Sequence, residues 1–165
     1  MLPSMLASIV DPGYKIALFL HILAVVLAFG PTFAYALFST VSQQYPRATP
    51  ALLEGIHRTD RYLVTPGMVI VLLTGVYLLV DGDWGESEAF ISVGFVAIFL
   101  LLGLQLTFFK PQASEARRIA ERDLKTGDEL SEEYLAISQR IGKVGSLAGL
   151  IVVVTIFFMA YKPFL

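Results

Sequence analysis

The sequence predicts an all-α fold: a polytopic membrane protein built as one four-helix transmembrane bundle, with both termini outside. Three observations carry that prediction. Of its 165 residues, 56% are hydrophobic and 16% charged, and the mean hydropathy is +0.70, which is more apolar and less charged than a soluble domain. The apolar residues gather into four runs, about residues 14–40, 58–80, 89–109 and 142–161. Each is long enough to cross roughly 30 Å of hydrocarbon at about 1.5 Å per residue, and a backbone in lipid must satisfy its own hydrogen bonds, so the runs are helices. The third observation is a charge split. Of the 12 Lys and Arg, Arg47, Arg58, Arg61, Lys110, Arg117, Arg118, Arg122, Lys125, Arg140 and Lys143 fall on one side, and only Lys15 and Lys162 on the other. Basic residues are retained on the cytoplasmic face. Both termini therefore face out, which in a bacterium means a multi-pass inner (plasma) membrane protein, N-out and C-out, with periplasmic ends.

The elements follow in order. The opening residues, "MLPSMLASIVDPGYK", lack the basic start of a signal peptide, and Asp11, Pro12 and Gly13 interrupt them early. They read either as an interfacial segment, with Met1, Leu2, Met5, Leu6 and Ile9 toward lipid, or as a loosely ordered terminus. The first span contains "FLHILAVVLAFGPTFAYAL" and ends in the turn-rich "QQYPRATP". The second carries Pro66 and Gly67 and ends in "DGDWGESE", with Trp84 as an outer interfacial anchor. Residues 110–141 read as a cytoplasmic helical hairpin extending spans three and four. Pro111 suits a first helical turn, "ASEARRIAERDLK" has good helix formers with Glu121 and Lys125 at i,i+4, Gly127 suits a cap, and Ser131 starts the return helix. The hairpin is either a solvated structural element or, being arginine-rich, a docking site for a partner or for anionic lipid. With no cysteine in the chain, thiolate ligands and disulfides are excluded, and no feature calls for nucleic acid.

His21 needs a reason. It lies about 10 Å below the outer surface by helical rise, and an ionisable residue at that depth is a functional hypothesis. Imidazole serves there as a metal ligand, a haem ligand or a proton relay. The alternative is a neutral histidine bonded to a neighbouring helix. Counting residues places Leu73, Thr74 and Gly75 of span two level with it, together with Gly94 of span three and Thr155 of span four. The glycines leave room for a flat macrocycle, or simply for close helix packing. His57 stands roughly 20 Å away along the membrane normal, in the charge cluster "HRTDRY". Pro31 and Pro66 fall at matched depth and either open a cleft toward the cytoplasm or are packing irregularities. Met68 and Met159 are the intramembrane sulfurs, as ligands or as filler. No carboxylate is placed inside a span, which argues against a conventional proton-coupled transporter.

"LHILAVVLAFG" resembles the first helix of the HemJ-type protoporphyrinogen oxidases, "RYLVTPGMVIVLLTGVYLL" their second, and the terminal "YKPF" their ending. The chain is similar also to an uncharacterised family of small predicted integral membrane proteins related to that group and to CopD-type copper-resistance proteins; "FGPTFAYAL" resembles that family more. The resemblance implies that His21 matches the haem-associated histidine of the first helix and that Arg58 matches a basic residue opening the second. The pattern departs at three places: the third-helix lysine falls near Gly94, a following histidine near Gln105, and the arginine late in the first helix is absent. A shared scaffold need not keep a shared reaction, so enzymatic turnover is left open.

The expected site is therefore His21 as the iron ligand of b-type haem, with Thr74, Gly75 and Gly94 around it and an electron-transfer or haem-linked redox role. One histidine per subunit leaves five-coordinate iron, a Met or water as sixth ligand, or a bis-histidine site across a homodimer. A membrane redox partner then follows. The other readings are a non-catalytic accessory or structural membrane protein, and a small metal-handling permease.

Overall fold

The computed structural model describes residues 11–82 and 89–161. The interfacial reading of the first residues and the Trp84 anchor lie outside them. The described residues form helices and turns with no strand, and the all-α, four-helix membrane bundle is borne out. Helix α1 spans Pro12–Gln44, α2 Thr49–Thr59, α3 Thr65–Asp81, α4 Ala89–Leu104, α5 Lys110–Thr126 and α6 Glu132–Tyr161. Because α2 runs into α3 and α4 into α5, four continuous apolar rods result: Pro12–Gln44, Pro46–Asp81, Phe90–Thr126 and Glu132–Tyr161.

Local chemistry sets the ends. Asp11 caps α1 by accepting from the Tyr14 N–H at 3.3 Å, with Pro12 behind it in the first turn. The second rod starts ahead of the expected residue 58, within the turn-rich "QQYPRATP": Thr49 and Pro50 open α2, and Leu53 turns toward an apolar cluster that makes the helix worth forming. The two junctions inside the long rods share a device. Asp60–Val64 and Gln105–Phe109 are single π-turns, closed by Thr65 N–H to Asp60 O and by Lys110 N–H to Gln105 O. Each closes one residue before a proline, Pro66 or Pro111. A proline ring clashes with the carbonyl four residues back and lacks the N–H to bond it. A widened turn gives that carbonyl room, so the rod continues through the proline.

The helices pack as two close pairs, α1 with α3 and α4 with α6, with α3 against α4 and α1 against α6 completing the ring. One helix meets the backbone of another at Gly67, where a Cβ would stand 2.9 Å from Ala28 Cβ and 3.2 Å from its backbone. Around this contact lies the main core of Ala24, Ala28, Phe29, Val64, Met68 and Val71 with Ile98, Leu101 and Val152. The outward faces are apolar too: Leu37 is 68% exposed, Leu73 64%, Val80 78% and Val96 68%. Exposed aliphatic surface on every rod is tolerable only in lipid.

At the arginine-rich end, α2, α5 and the first turns of α6 make a separate cap with its own core of Ala116, Ile119, Ala120 and Tyr134. Three buried hydroxyls tie it to α1: Ser42 Oγ lies 2.8 Å from Thr49 Oγ1 and 3.1 Å from the Tyr134 hydroxyl. The hairpin arginines are already engaged. Arg117 bridges Glu54 and Glu121, Arg118 pairs with Glu115, and Arg122 with Asp123 and Glu133. Such exposed pairs contribute only about 0–1 kcal/mol each, but they leave these side chains committed, which favours the structural reading of the hairpin. Gly127 follows α5 at φ −165°, an extended conformation open to any residue, so its place at the cap is not owed to a left-handed turn.

Asp123 organises the hairpin turn. It is buried, accepts the Ser131 N–H at 2.9 Å and binds the Arg122 guanidinium at 2.8 Å. Bonds from Ser131 and then the Arg122 charge hold its carboxyl down at about 2, against an ordinary 3.8. A carboxyl depressed on folding contributes stability above its unfolded value and loses it as pH falls through the folded one. The hairpin should therefore loosen between about pH 4 and pH 2. Asp123→Ala should remove that pH dependence and weaken the turn by about 1–3 kcal/mol, because the Ser131 N–H loses its acceptor. Amide exchange at residues 127–131 reads both effects; an unchanged profile in the variant would refute the assignment.

Candidate functional site

A cavity of about 550 Å³ lies between the α1/α3 pair and the α4/α6 pair. Its lining is apolar except for Tyr14, His21 and Thr155, and no charged side chain is among the described residues that line it. It sits in the half of the bundle that holds the start of α1 and the end of α6.

The orientation of His21 follows from one hydrogen atom. Its Nδ1 lies 2.9 Å from Thr74 Oγ1. The Thr74 hydroxyl has a single proton, and it is directed to the Ile70 carbonyl at 2.6 Å, with the Val71 carbonyl at 3.3 Å. Thr74 must then accept, so His21 Nδ1 carries the hydrogen and donates. In a neutral imidazole the other nitrogen, Nε2, keeps its lone pair; the ring also bonds the Val71 backbone. Gly75 lies against the ring: a Cβ there would stand 3.4 Å from His21 Cε1, at van der Waals contact.

The structure therefore brings His21, Gly75 and Gly94 to one cavity, while Thr74 stands behind His21 as its acceptor and does not line the wall. Thr155 lines the cavity too, its hydroxyl donating to Ile151 O at 2.7 Å. Two residues that the sequence left among packing groups belong here. Met159 lines the cavity, and its methyl occupies the space that a Cβ on Gly94 would need. Tyr14 lines it one turn inside the start of α1. Both lie nearer the end of the bundle than His21, Tyr14 by about 10 Å of helical rise and Met159 about 6 Å beyond Thr155, so counting depth from His21 passed them over. Met68, by contrast, is in the main core at 4% exposure.

Other expectations are corrected. Neither Pro31 nor Pro66 lines the cavity, and Gly67 is closed against Ala28, so the matched prolines do not open a cleft there. A carboxylate does lie inside a rod: Asp60 heads the first π-turn, accepts from the Tyr35 hydroxyl at 2.8 Å and bonds the buried Gln105, which heads the second. The linear sequence hid this because Asp60 is flanked by basic residues that face outward. His57 is exposed and does not line the cavity. Among the described residues no three His, Cys, Asp or Glu side chains gather as a metal cage.

Four long helices sheathed in exposed aliphatic side chains, enclosing an apolar cavity, define a polytopic integral membrane protein. The chain belongs to a family of that kind: residues 15–163 match the model of the family described as "Predicted integral membrane protein (DUF2269)". No curated protein matches the chain, and no solved structure does.

Proposed function

We propose that this protein holds b-type haem in the His21 cavity and serves an electron-transfer or haem-linked redox role in the bacterial inner membrane. One observation carries the reading: an imidazole whose Nδ1 is held 2.9 Å from Thr74 Oγ1 lines an apolar cavity of about 550 Å³. That is the arrangement of a metal-ligating histidine, whose far nitrogen donates to a fixed acceptor that sets tautomer and ring angle. The volume falls within the roughly 300–1,000 Å³ of cofactor sites. The residues fit the group: apolar walls from two helix pairs suit a flat macrocycle, and Tyr14 lies toward the aqueous rim, where carboxylate substituents stay hydrated. The iron would supply one-electron chemistry. The chain's own residues orient the ligand and exclude water. The resemblance of "LHILAVVLAFG" to the first helix of HemJ-type proteins supports the reading through His21, and a membrane redox partner and a homodimer are the associations the reading implies.

An absorption spectrum of protein purified from haem-replete cells, oxidised and then reduced, tests the proposal. Haem b at up to one per chain is the expected result; colourless protein overturns it. The reading also sets orientation. With the arginine-rich cap cytoplasmic, phosphatase fused after Leu165 should be active and a cytoplasmic fluorophore there should be dark. The reverse pattern refutes the N-out, C-out topology. A second reading is favoured by the cap's independent core: a non-catalytic accessory protein that docks a partner through the cap. Colourless protein would promote it.

A further inference from the structure

We infer that Met159 is the second axial donor in the His21 cavity, which makes a His/Met haem site and assigns the protein to electron transfer in preference to oxygen or substrate chemistry at iron. The inference rests on the haem reading above and goes further by naming the sixth ligand and its consequence.

The geometry comes from the two helix pairs. His21 rises from α1 and is pinned to α3 through Thr74. Met159 rises from α6 and is seated against α4 at Gly94. Because α1 packs on α3 and α4 on α6, the imidazole and the thioether come from different helix pairs and line one cavity. The glycines are matched to the donors: Gly75 lies beside His21 and Gly94 beside Met159. Any side chain at position 94 would displace the methionine methyl.

Elimination among the lining groups agrees. Beyond His21, the atoms able to donate electrons to iron are the Met159 sulfur, the Tyr14 phenol and the Thr155 hydroxyl. Thr155 is a neutral alcohol committed to Ile151 O and is not an iron ligand in the usual donor sets. Tyr14 binds iron only as phenolate, and no cation lines the described cavity to stabilise one. The thioether binds as a neutral donor, and its three free torsions let sulfur reach without backbone movement. An apolar wall penalises the extra positive charge of ferric iron, and a His/Met ligand pair raises the reduction potential in the same direction. With both axial positions filled by protein, iron is closed to oxygen, and what remains is electron transfer.

The test compares full-length wild type, Met159→Leu, Gly94→Ala and His21→Ala, each from haem-replete cells. The expected wild type is low-spin, and its reduced form reacts slowly with carbon monoxide. Met159→Leu should retain haem, turn high-spin when oxidised, bind carbon monoxide rapidly and have a lower midpoint potential. If Met159→Leu keeps the wild-type spectrum, carbon monoxide reactivity and potential while His21→Ala loses pigment, Met159 is packing and this inference falls, while the His21 reading stands. If Met159→Leu is colourless, Gly94→Ala decides, since it leaves sulfur in place but crowds its methyl: a shift toward the high-spin form supports ligation, and a wild-type spectrum overturns it. Colourless wild type overturns the haem reading itself and this inference with it.

Discussion

His21→Ala is expected to abolish most of the Soret absorbance that the proposed haem gives wild-type protein, with the protein still inserted and helical. The reason lies in what the imidazole does not do for the fold. Its side-chain partner is Thr74, whose hydroxyl remains satisfied by the Ile70 carbonyl when His21 is gone, and its other partner is the Val71 backbone, which belongs to a helix that bonds itself. The main core of Ala24, Ala28, Phe29 and their neighbours does not include it. Losing the ligand therefore removes the cofactor and little else. Thr74→Val separates holding iron from orienting the ligand. It removes the acceptor for Nδ1–H at nearly constant volume, and loss of such a supporting group typically costs about 10–100-fold in affinity. Thr74→Ser should restore most of it. His57→Ala should leave the pigment untouched, since that residue is exposed and lies outside the cavity lining. Pigment retained in His21→Ala would show that the histidine is a packing residue.

Gly67→Leu is expected to prevent the α1–α3 pair from closing, and Gly67→Ala to destabilise it by about 1–3 kcal/mol, the usual penalty of overpacking a tight contact. A Cβ at 67 would meet Ala28 Cβ at 2.9 Å and Ala28 N and Cα at 3.2 Å. These are backbone and methyl atoms of a rigid helix, with no flexible side chain to swing away. Gly30→Ala is the control, because nothing lies within 4 Å of a Cβ there; it should be neutral or slightly stabilising, as alanine is the better helix former by roughly 1 kcal/mol. Melting of the detergent-solubilised protein reads both. Because α1 and α3 carry His21 and Thr74, Gly67→Leu should also lose pigment. Equal melting of the Gly67 and Gly30 variants would refute the close approach.

The membrane class, the four helices and the singularity of His21 were legible in the linear chain, and for a local reason. In lipid each helix satisfies its own backbone, so hydropathy and length decide the element before any packing does. Helical rise also placed Thr74, Gly75 and Gly94 at the depth of His21, because depth is one-dimensional. What rise does not carry is rotation about each helix axis, and these spans are apolar on every side, so no polar face betrays which way a residue points. Only packing decided that Thr74 stands behind His21, that Met159 shares its cavity while Met68 lies in the main core, and that Gly67 closes on Ala28. The same limit hid Asp60, which reads as part of a basic cluster until Tyr35 and Gln105 from other helices reach it. It hid the early start of the second rod at residues 49–59 as well, whose one proline and charges give no apolar run until Leu53 finds the cap core. Sequence by itself determined that the chain is a four-helix membrane protein with an imidazole at depth; tertiary structure alone decided what that imidazole faces, since contacts between helices remote in sequence depend on azimuth and on the notches that glycines leave.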